Sequence, residues 1–335
     1  MRAMMRTELA IEGLRSIAWA GDDLIDWVGG RRIRPDGTVV AFGVGAGYRF
    51  DGAAGLGEVG VVFEALGTKG RIMRWNGRVA QPSFVPIGFD ELREIDRSYY
   101  HADAYDYPLC LLTLPDGREA VAHCPRRYDT LEIELLDGTP LTSRAAKPED
   151  VFHGRLAASP DGRWLLDNGW VWHPLTIVAV YDVARALREP EHLSSSGIAL
   201  DLGDAFDGDV GAATFSGDRL VVCGGEDRQI LSMIDLSTGR NLATLPVAEA
   251  LGTRLMAWDH DHVVALDDRP RLVALADGGV VHRWDDVGPA PRPCPSVNLD
   301  SPEPPYVAID PRHARFALAG AERVVVISAS QWARG

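Results

Sequence analysis

The sequence predicts an all-β fold made of short antiparallel sheets in series, and three observations predict it. The first is a turn that returns along the chain: Pro35-Asp36-Gly37, Asn76-Gly77, Pro115-Asp116-Gly117, Asp137-Gly138, Asp161-Gly162, Ser216-Gly217-Asp218, Ser237-Thr238-Gly239 and Asp277-Gly278-Gly279. Asn, Asp and Gly accept the positive φ that tight hairpins need, and such turns match the right-handed twist of the flanking strands. The second is the short apolar run on each side of these turns, patterned for strands rather than helices. The third is the pitch: beyond residue 155 the runs fall into four-stranded units every roughly 40–50 residues. Together they predict a closed β-propeller of about seven four-stranded blades, six being the alternative count.

Strands a to d of each blade run from the axis outward. Blade 1 is expected at 15–19, 24–28, 31–33 and 38–42, and blade 2 at 48–51, 58–66, 71–75 and 78–81. Blade 3 takes 107–114, 119–123, 130–136 and 139–142, and blade 4 takes 155–159, 164–168, 176–182 and 197–202. Blades 5 and 6 are expected at 210–215, 219–224, 229–235, 241–246 and at 254–258, 262–266, 271–276, 280–284. Blade 7 has only 306–310, 315–319 and 323–328, so the N-terminal segment 7–13 is the expected donor of its fourth strand. That pairing would remove a sheet edge that invites aggregation. One helical turn is expected near 184–187, and 82–106, 192–209 and the proline-rich 286–305 read as long connections. A single domain over residues 1–335 is expected.

Composition bounds the function. Of 335 residues 46% are hydrophobic, a globular share. The net charge of −14 argues against general affinity for nucleic acid, whose backbone demands a basic face. No run is long and apolar enough to span a bilayer, and 1–13, with Glu8 and Glu12, lacks the apolar core of a signal peptide. A cytoplasmic protein, monomeric by default and without a cofactor, is the expectation. Cys110, Cys124, Cys223 and Cys294 lack zinc-ligand spacing and read as reduced thiols, with a bridge between Cys110 and Cys124 as the alternative.

The units resemble WD-repeat propellers over most of the chain. The resemblance rests on Ser159-Pro160-Asp161-Gly162 with Trp164 as an a–b turn, and on Tyr181-Asp182 and Ile234-Asp235 where a Trp-Asp pair would close strand c. His153-Gly154 inverts that family's Gly-His, and no blade carries the full set. The resemblance implies a rigid platform that binds proteins, which is a fold-level analogy.

In a propeller the d–a and b–c loops share one face, where several loops converge on a rigid scaffold. The b–c loops place Arg31, Lys69, Arg126, Arg127, Arg228, Arg269 and Arg323 at or beside the start of strand c. Converging, they would form a cationic ring suited to an acidic peptide or a phosphate. The alternative is pairing with nearby carboxylates, as in Glu226-Asp227-Arg228. The b–c loop of blade 4 carries Trp170, Trp172 and His173, and the d–a loop before blade 3 carries Tyr99, Tyr100 and Tyr105. Aromatic side chains are favoured binding anchors, or else cover their own blades.

The reading from these residues is a non-catalytic platform that takes a protein or peptide partner on this face. The alternative is a channel-centred hydrolase, metal-dependent and lactonase- or phosphoesterase-like. Its candidate inward residues are Asp51, Asp310, Asp259 and Asn168. His123, His153 and His173 lack metal-ligand spacing, and no GxSxG elbow or P-loop is present.

Overall fold

The computed structural model describes residues 4–42, 50–78, 88–145, 148–171, 175–203, 206, 209–224, 229–266, 269–287, 306–330 and 332. Antiparallel strand pairing arranges these residues as seven blades in a ring, a β-propeller. Five blades are regular four-stranded sheets. They comprise Ala18–Ala20 through Val39–Ala41, Gly52–Leu56 through Phe89–Asp96, Val210–Ser216 through Asn241–Pro246, Leu255–Asp259 through Val280–Arg283, and the sheet that closes the ring. In that sheet Met5–Ala10 pairs with Arg323–Ser328, which pairs in turn with Arg315–Ala319 and Tyr306–Asp310. The N-terminal segment therefore supplies the outer strand of blade 7, as its missing fourth strand required.

The recurring turns have one chemistry. The Asp36, Asp116, Asp137, Asp161 and Asp277 carboxylates each accept a hydrogen bond from the backbone N–H two residues on, at 2.8–3.1 Å. The glycine between is left-handed in every case, for example Gly162 at φ +72. At Gly162 a Cβ would also lie 2.0 Å from the Thr113 carbonyl of blade 3, so the turn doubles as a contact between blades. All five turns lie on the a–b and c–d face.

Blades 3 and 4 are reduced. Blade 3 has three strands, Leu109–Thr113, Glu119–His123 and Glu132–Leu135, with an isolated bridge between Glu134 and Pro140 as its outer edge. Blade 4 has only Ala157–Ala158, Trp164–Asp167 and Ala179–Asp182 in its main sheet. Its expected outer strand at 197–202 is reduced to one bridge between Val180 and Gly197, and that bridge is parallel. The helix Val183–Arg188, capped by the Asp182 carboxylate on the Arg185 N–H, and the 3-10 turn Pro190–Ser194 are the cause. They carry the chain back to the start of strand c, so it returns in the same direction.

Blade 2 brings a second correction. Its outer strand is Phe89–Asp96, inside the segment expected to be a connection, while the expected strand 78–81 lies outside the described residues from 79 on. The expected proline-rich linker is likewise outside them from 288 to 305. Cys110, Cys124 and Cys223 are free thiols, so the alternative bridge between the first two is not formed. No helix among the described residues is long and apolar enough to cross a membrane.

Apolar residues pack between neighbouring sheets. Trp258, Trp284 and Phe316 fill the seam between blades 6 and 7, and Trp27, Phe42, Phe50 and Val62 fill that between blades 1 and 2. Gly60 lets this second seam close, because a Cβ there would lie 2.1 Å from the Trp27 ring. Where blade 7 meets blade 1, the Arg315 guanidinium stacks 4.0 Å over Trp19, and the Trp332 indole donates to the Asp22 carbonyl at 2.6 Å.

Polar groups also cross between blades. Arg93 of blade 2 donates to Glu134 of blade 3 at 2.7 Å, and His123 lies 3.2 Å from the same oxygen. Burial alone would raise the Glu134 carboxyl, but the hydrogen bonds and charges of His123 and Arg93 prevail and hold it at about 2.

Two outcomes follow from closure and from this pair. Deleting residues 1–10 is expected to uncover the edge of Arg323–Ser328 and produce self-association, read by size-exclusion chromatography; a monodisperse variant of unchanged thermal midpoint would contradict it. A carboxyl depressed in the fold stabilises above its unfolded pKa and loses that stabilisation as pH falls through its folded value. Wild type should therefore exceed Glu134→Gln by on the order of 3 kcal/mol above about pH 4.5, with the gap closing toward pH 2. Urea unfolding across that window measures it.

Candidate functional site

The d–a and b–c loops lie at one end of the ring, and over blades 3 and 4 that face is organised around one buried cation. Arg97 follows the outer strand of blade 2 and is 4% exposed. Its Nε donates to the Gly67 carbonyl at 2.6 Å, and its Nη atoms donate to the carbonyls of Asp106 and Tyr105 at 3.0 Å, Ala65 at 3.4 Å, and Ala102. The guanidinium also lies 4.7 Å from the Tyr105 ring centroid and 5.0 Å from that of Tyr107. Burial lowers its pKa, yet guanidinium keeps its proton at any ordinary pH. Carbonyl dipoles and two aromatic faces take the place of a counter-carboxylate, and only the five-donor fork of Arg can reach them all.

This arrangement fixes the loop 98–107 to the blade beneath it and sorts its tyrosines. Tyr105 and Tyr107 are buried against Arg97, while Tyr100 is 40% and Tyr99 86% exposed. Next to them stand four more rings. Phe152 stacks on Trp170 with centroids 4.1 Å apart, and on Tyr128 at 4.4 Å. Tyr100 leans on Tyr128 at 4.9 Å, and His101 meets Tyr100 edge-on at 4.4 Å. The Tyr128 hydroxyl donates to Asp150 at 2.6 Å; burial and that carboxylate push its phenol pKa up. The cluster thus grades from the buried Trp170 to the half-exposed Tyr100, next to which in sequence stands Tyr99, the most exposed ring.

Trp170 belongs to a small hairpin, Trp170–Val171 with Leu175–Thr176, inserted in the b–c loop of blade 4. Its backbone pairs with Phe152, and Thr176 anchors the hairpin to blade 5 through Asp209 and the Val210 carbonyl. Trp170 and Tyr105 were candidate partner contacts, but both are buried and support the exposed rings from beneath. Trp172 and His173 lie outside the described residues, as does Arg228.

The described basic candidates are each held locally. Arg126 grips Glu132 with both oxygens at 2.9 Å, and Arg127 pairs with Asp129, whose carboxyl it keeps below the usual range against the effect of burial. Arg31 pairs with Asp26 at 2.9 Å, Lys69 with Asp96 at 2.6 Å, and Arg269 with Asp285 at 3.7 Å. Arg323 donates to the Asp286 carbonyl at 2.9 Å and lies 3.4 Å from Glu8. Of these, Arg126 and Arg127 stand on the loop that carries Tyr128, beside the aromatic cluster, with most of their side chains in solvent.

A recurring polar stitch, missed in the sequence, holds this face together. In blade 1 Ser16, before strand a, donates to Asp26 at the end of strand b at 3.0 Å. In blade 2 the Asp51 carboxylate accepts from the Ala65 N–H at 2.7 Å, and in blade 4 His153 lies 2.5 Å from Asp167. Each stitch ties a d–a loop to the b–c loop of its own blade. The signal was a polar residue just before strand a with a partner near the end of strand b, a pairing hidden by its variable separation.

Inside the ring is a cavity of about 370 Å³ bordered by residues from every blade. Asp51 and Asn168 border it; Asp310 and Asp259 do not, since they pair with His313 and His262 at 2.7 Å on the opposite face. Among the described residues no three His, Cys, Asp or Glu side chains are placed to share a metal ion.

If Arg97 anchors the tyrosine loop, Arg97→Lys should cost about 3 kcal/mol by losing donors that a single ammonium cannot replace. It should also speed amide exchange selectively over residues 98–106. Exchange that rises evenly over the whole ring would point to global weakening instead.

Compared with known protein families and with curated proteins, this seven-bladed propeller matches none.

Proposed function

We propose that the protein is an interaction platform, with the WD-repeat-like mode of using one propeller face, and that it holds a protein or peptide partner over blades 3 and 4. The observation that carries this reading is Tyr99, 86% exposed on a loop nailed down through Arg97. A large aromatic left in water on a fixed loop loses little conformational entropy when covered, which is what makes preordered Tyr residues strong anchors. Tyr100 extends the same surface, and Arg126 and Arg127 flank it with planar donors that suit a partner's carboxylates or carbonyls.

Capture from the source cells, with crosslinking, tests this. Tyr99→Ala with Tyr100→Ala should reduce recovery of a specific partner at least about tenfold, as expected for loss of anchor residues. Arg118→Ala, an exposed change on the opposite face, should leave recovery unchanged. Equal recovery with all three proteins would overturn the assignment of this face.

A further inference from the structure

We propose that the 3-10 turn Pro190–Ser194 is a pH-sensitive latch on blade 4, closed by His192 while its imidazole is neutral and released when the ring takes a proton. This goes beyond the platform reading and uses different residues. The latch follows from the missing outer strand. In a complete blade the carbonyls of strand d accept the outward N–H groups of strand c. Along Ala179–Asp182 that ladder is reduced to the single parallel bridge, where the Val180 carbonyl accepts from the Ile198 N–H at 2.8 Å. At the end of the same strand the Asp182 N–H meets a side chain in place of a carbonyl, donating to His192 Nε2 at 3.2 Å. An imidazole accepts only through a nitrogen that carries no proton. Imidazolium donates at both nitrogens, so protonation sets two donors against each other and leaves the strand end without its partner.

The surroundings of His192 favour the neutral ring. It is 6% exposed, and it meets the Tyr181 ring edge-on with centroids 5.8 Å apart. Asp182 on the strand and Glu189 at the helix end favour the proton, while Arg185 on the helix opposes it. Burial, with Arg185 adding to it, outweighs the two carboxylates and lowers the imidazole pKa. Tyr181 keeps its phenolic proton, because burial raises its pKa well above the usual value. The turn itself carries the exposed Glu191. From the side of blade 3, Arg144 donates to Ser194 Oγ at 2.5 Å and to the carbonyls of Leu193 at 3.2 Å and Leu131 at 2.8 Å. Those bonds hold the far end of the turn and do not involve the imidazole, so His192 is the titrating fastening.

The end of the turn also covers a small cavity. Leu193, Ser194, Ser195 and Ser196 form part of its wall, and Asp129, Glu149 and His153 border it as well. His153 is buried, and its Nε2 has no hydrogen-bond partner among the described residues. Releasing the latch opens this space and lets solvent reach that nitrogen. The direction with pH follows from linkage. The released ring takes its proton at the ordinary imidazole value of 6.5, whereas the latched ring takes it only at lower pH. The latch is therefore fully closed above about pH 7 and weakens as pH falls through 6.5.

Amide exchange, corrected for the intrinsic effect of pH on exchange, tests the latch. Between about pH 7.5 and about pH 5.5, protection at Asp182 and over 189–196 should fall on the order of tenfold relative to Arg315–Ala319. That factor is the gain in protonation of a released imidazole one unit below its ordinary pKa. His192→Gln keeps an amide oxygen for the Asp182 N–H but cannot titrate, so it should stay protected at both pH values. His192→Ala should leave the segment open at both. Nitrogen-15 spectra of the wild-type imidazole add a measurement that needs no variant: at neutral pH Nε2 should carry no proton. Constant protection in the wild type, an undiminished pH effect in His192→Gln, or a protonated Nε2 at neutral pH would each overturn the proposal.

Discussion

A ring of sheets has two loose ends, and each would leave a row of backbone donors and acceptors without partners. The pairing of Met5–Ala10 with Arg323–Ser328 removes both by joining the first described strand to the last. Everything on the face of the d–a and b–c loops depends on this, because loops from seven separate sheets keep fixed mutual positions only when the circle is complete. Arg315, Trp19 and Trp332 reinforce the same seam, locking blade 7 to blade 1 by a stacked cation and an indole hydrogen bond.

Within the closed ring, two kinds of polar fastening divide the work. One is the carboxylate stitch between the d–a and b–c loops of a blade, seen at Asp26, Asp51 and Asp167. The other is the guanidinium that gathers carbonyls, seen at Arg97 and again at Arg155. The first organises single blades. The second spans neighbours: Arg97 collects carbonyls around the junction of blades 2 and 3, and Arg155 reaches from blade 4 to blade 6. Arg155 does this where the innermost strand is only Ala157–Ala158, so a side chain supplies contact that a longer strand would otherwise make.

Much of the scaffold was legible in the sequence. The three C-terminal strands of blade 7 match their expected bounds residue for residue, because Arg315–Ala319 and Arg323–Ser328 are rich in buried apolar positions between clear turns, whereas its outer strand is Met5–Ala10 where 7–13 was expected. Phe89–Asp96 escaped notice because an outer strand buries little: six of its eight residues are exposed or half-exposed charged or polar ones and Leu92. The face of the d–a and b–c loops was less legible. Which tyrosine of 99, 100, 105 and 107 is buried depends on Arg97, and an Arg whose partners are all carbonyls leaves no complementary residue type to read. The b–c arginines were visible, but their convergence or local pairing is a matter of side-chain direction that spacing does not encode.

The nature of the Arg97 contacts has a consequence for how the molecule responds to its surroundings. Main-chain carbonyls do not titrate, and bonds to a buried cation are little weakened by dissolved ions. The attachment of the loop that carries Tyr99 and Tyr100 should therefore hold from acid to alkaline solution and from low to high ionic strength. The seam a few residues away, held by Glu134 with Arg93 and His123, has no such immunity. One end of the ring is thus buffered against solution chemistry while its neighbouring joint is exposed to it, and loosening would begin in the joint before it reached the tyrosines.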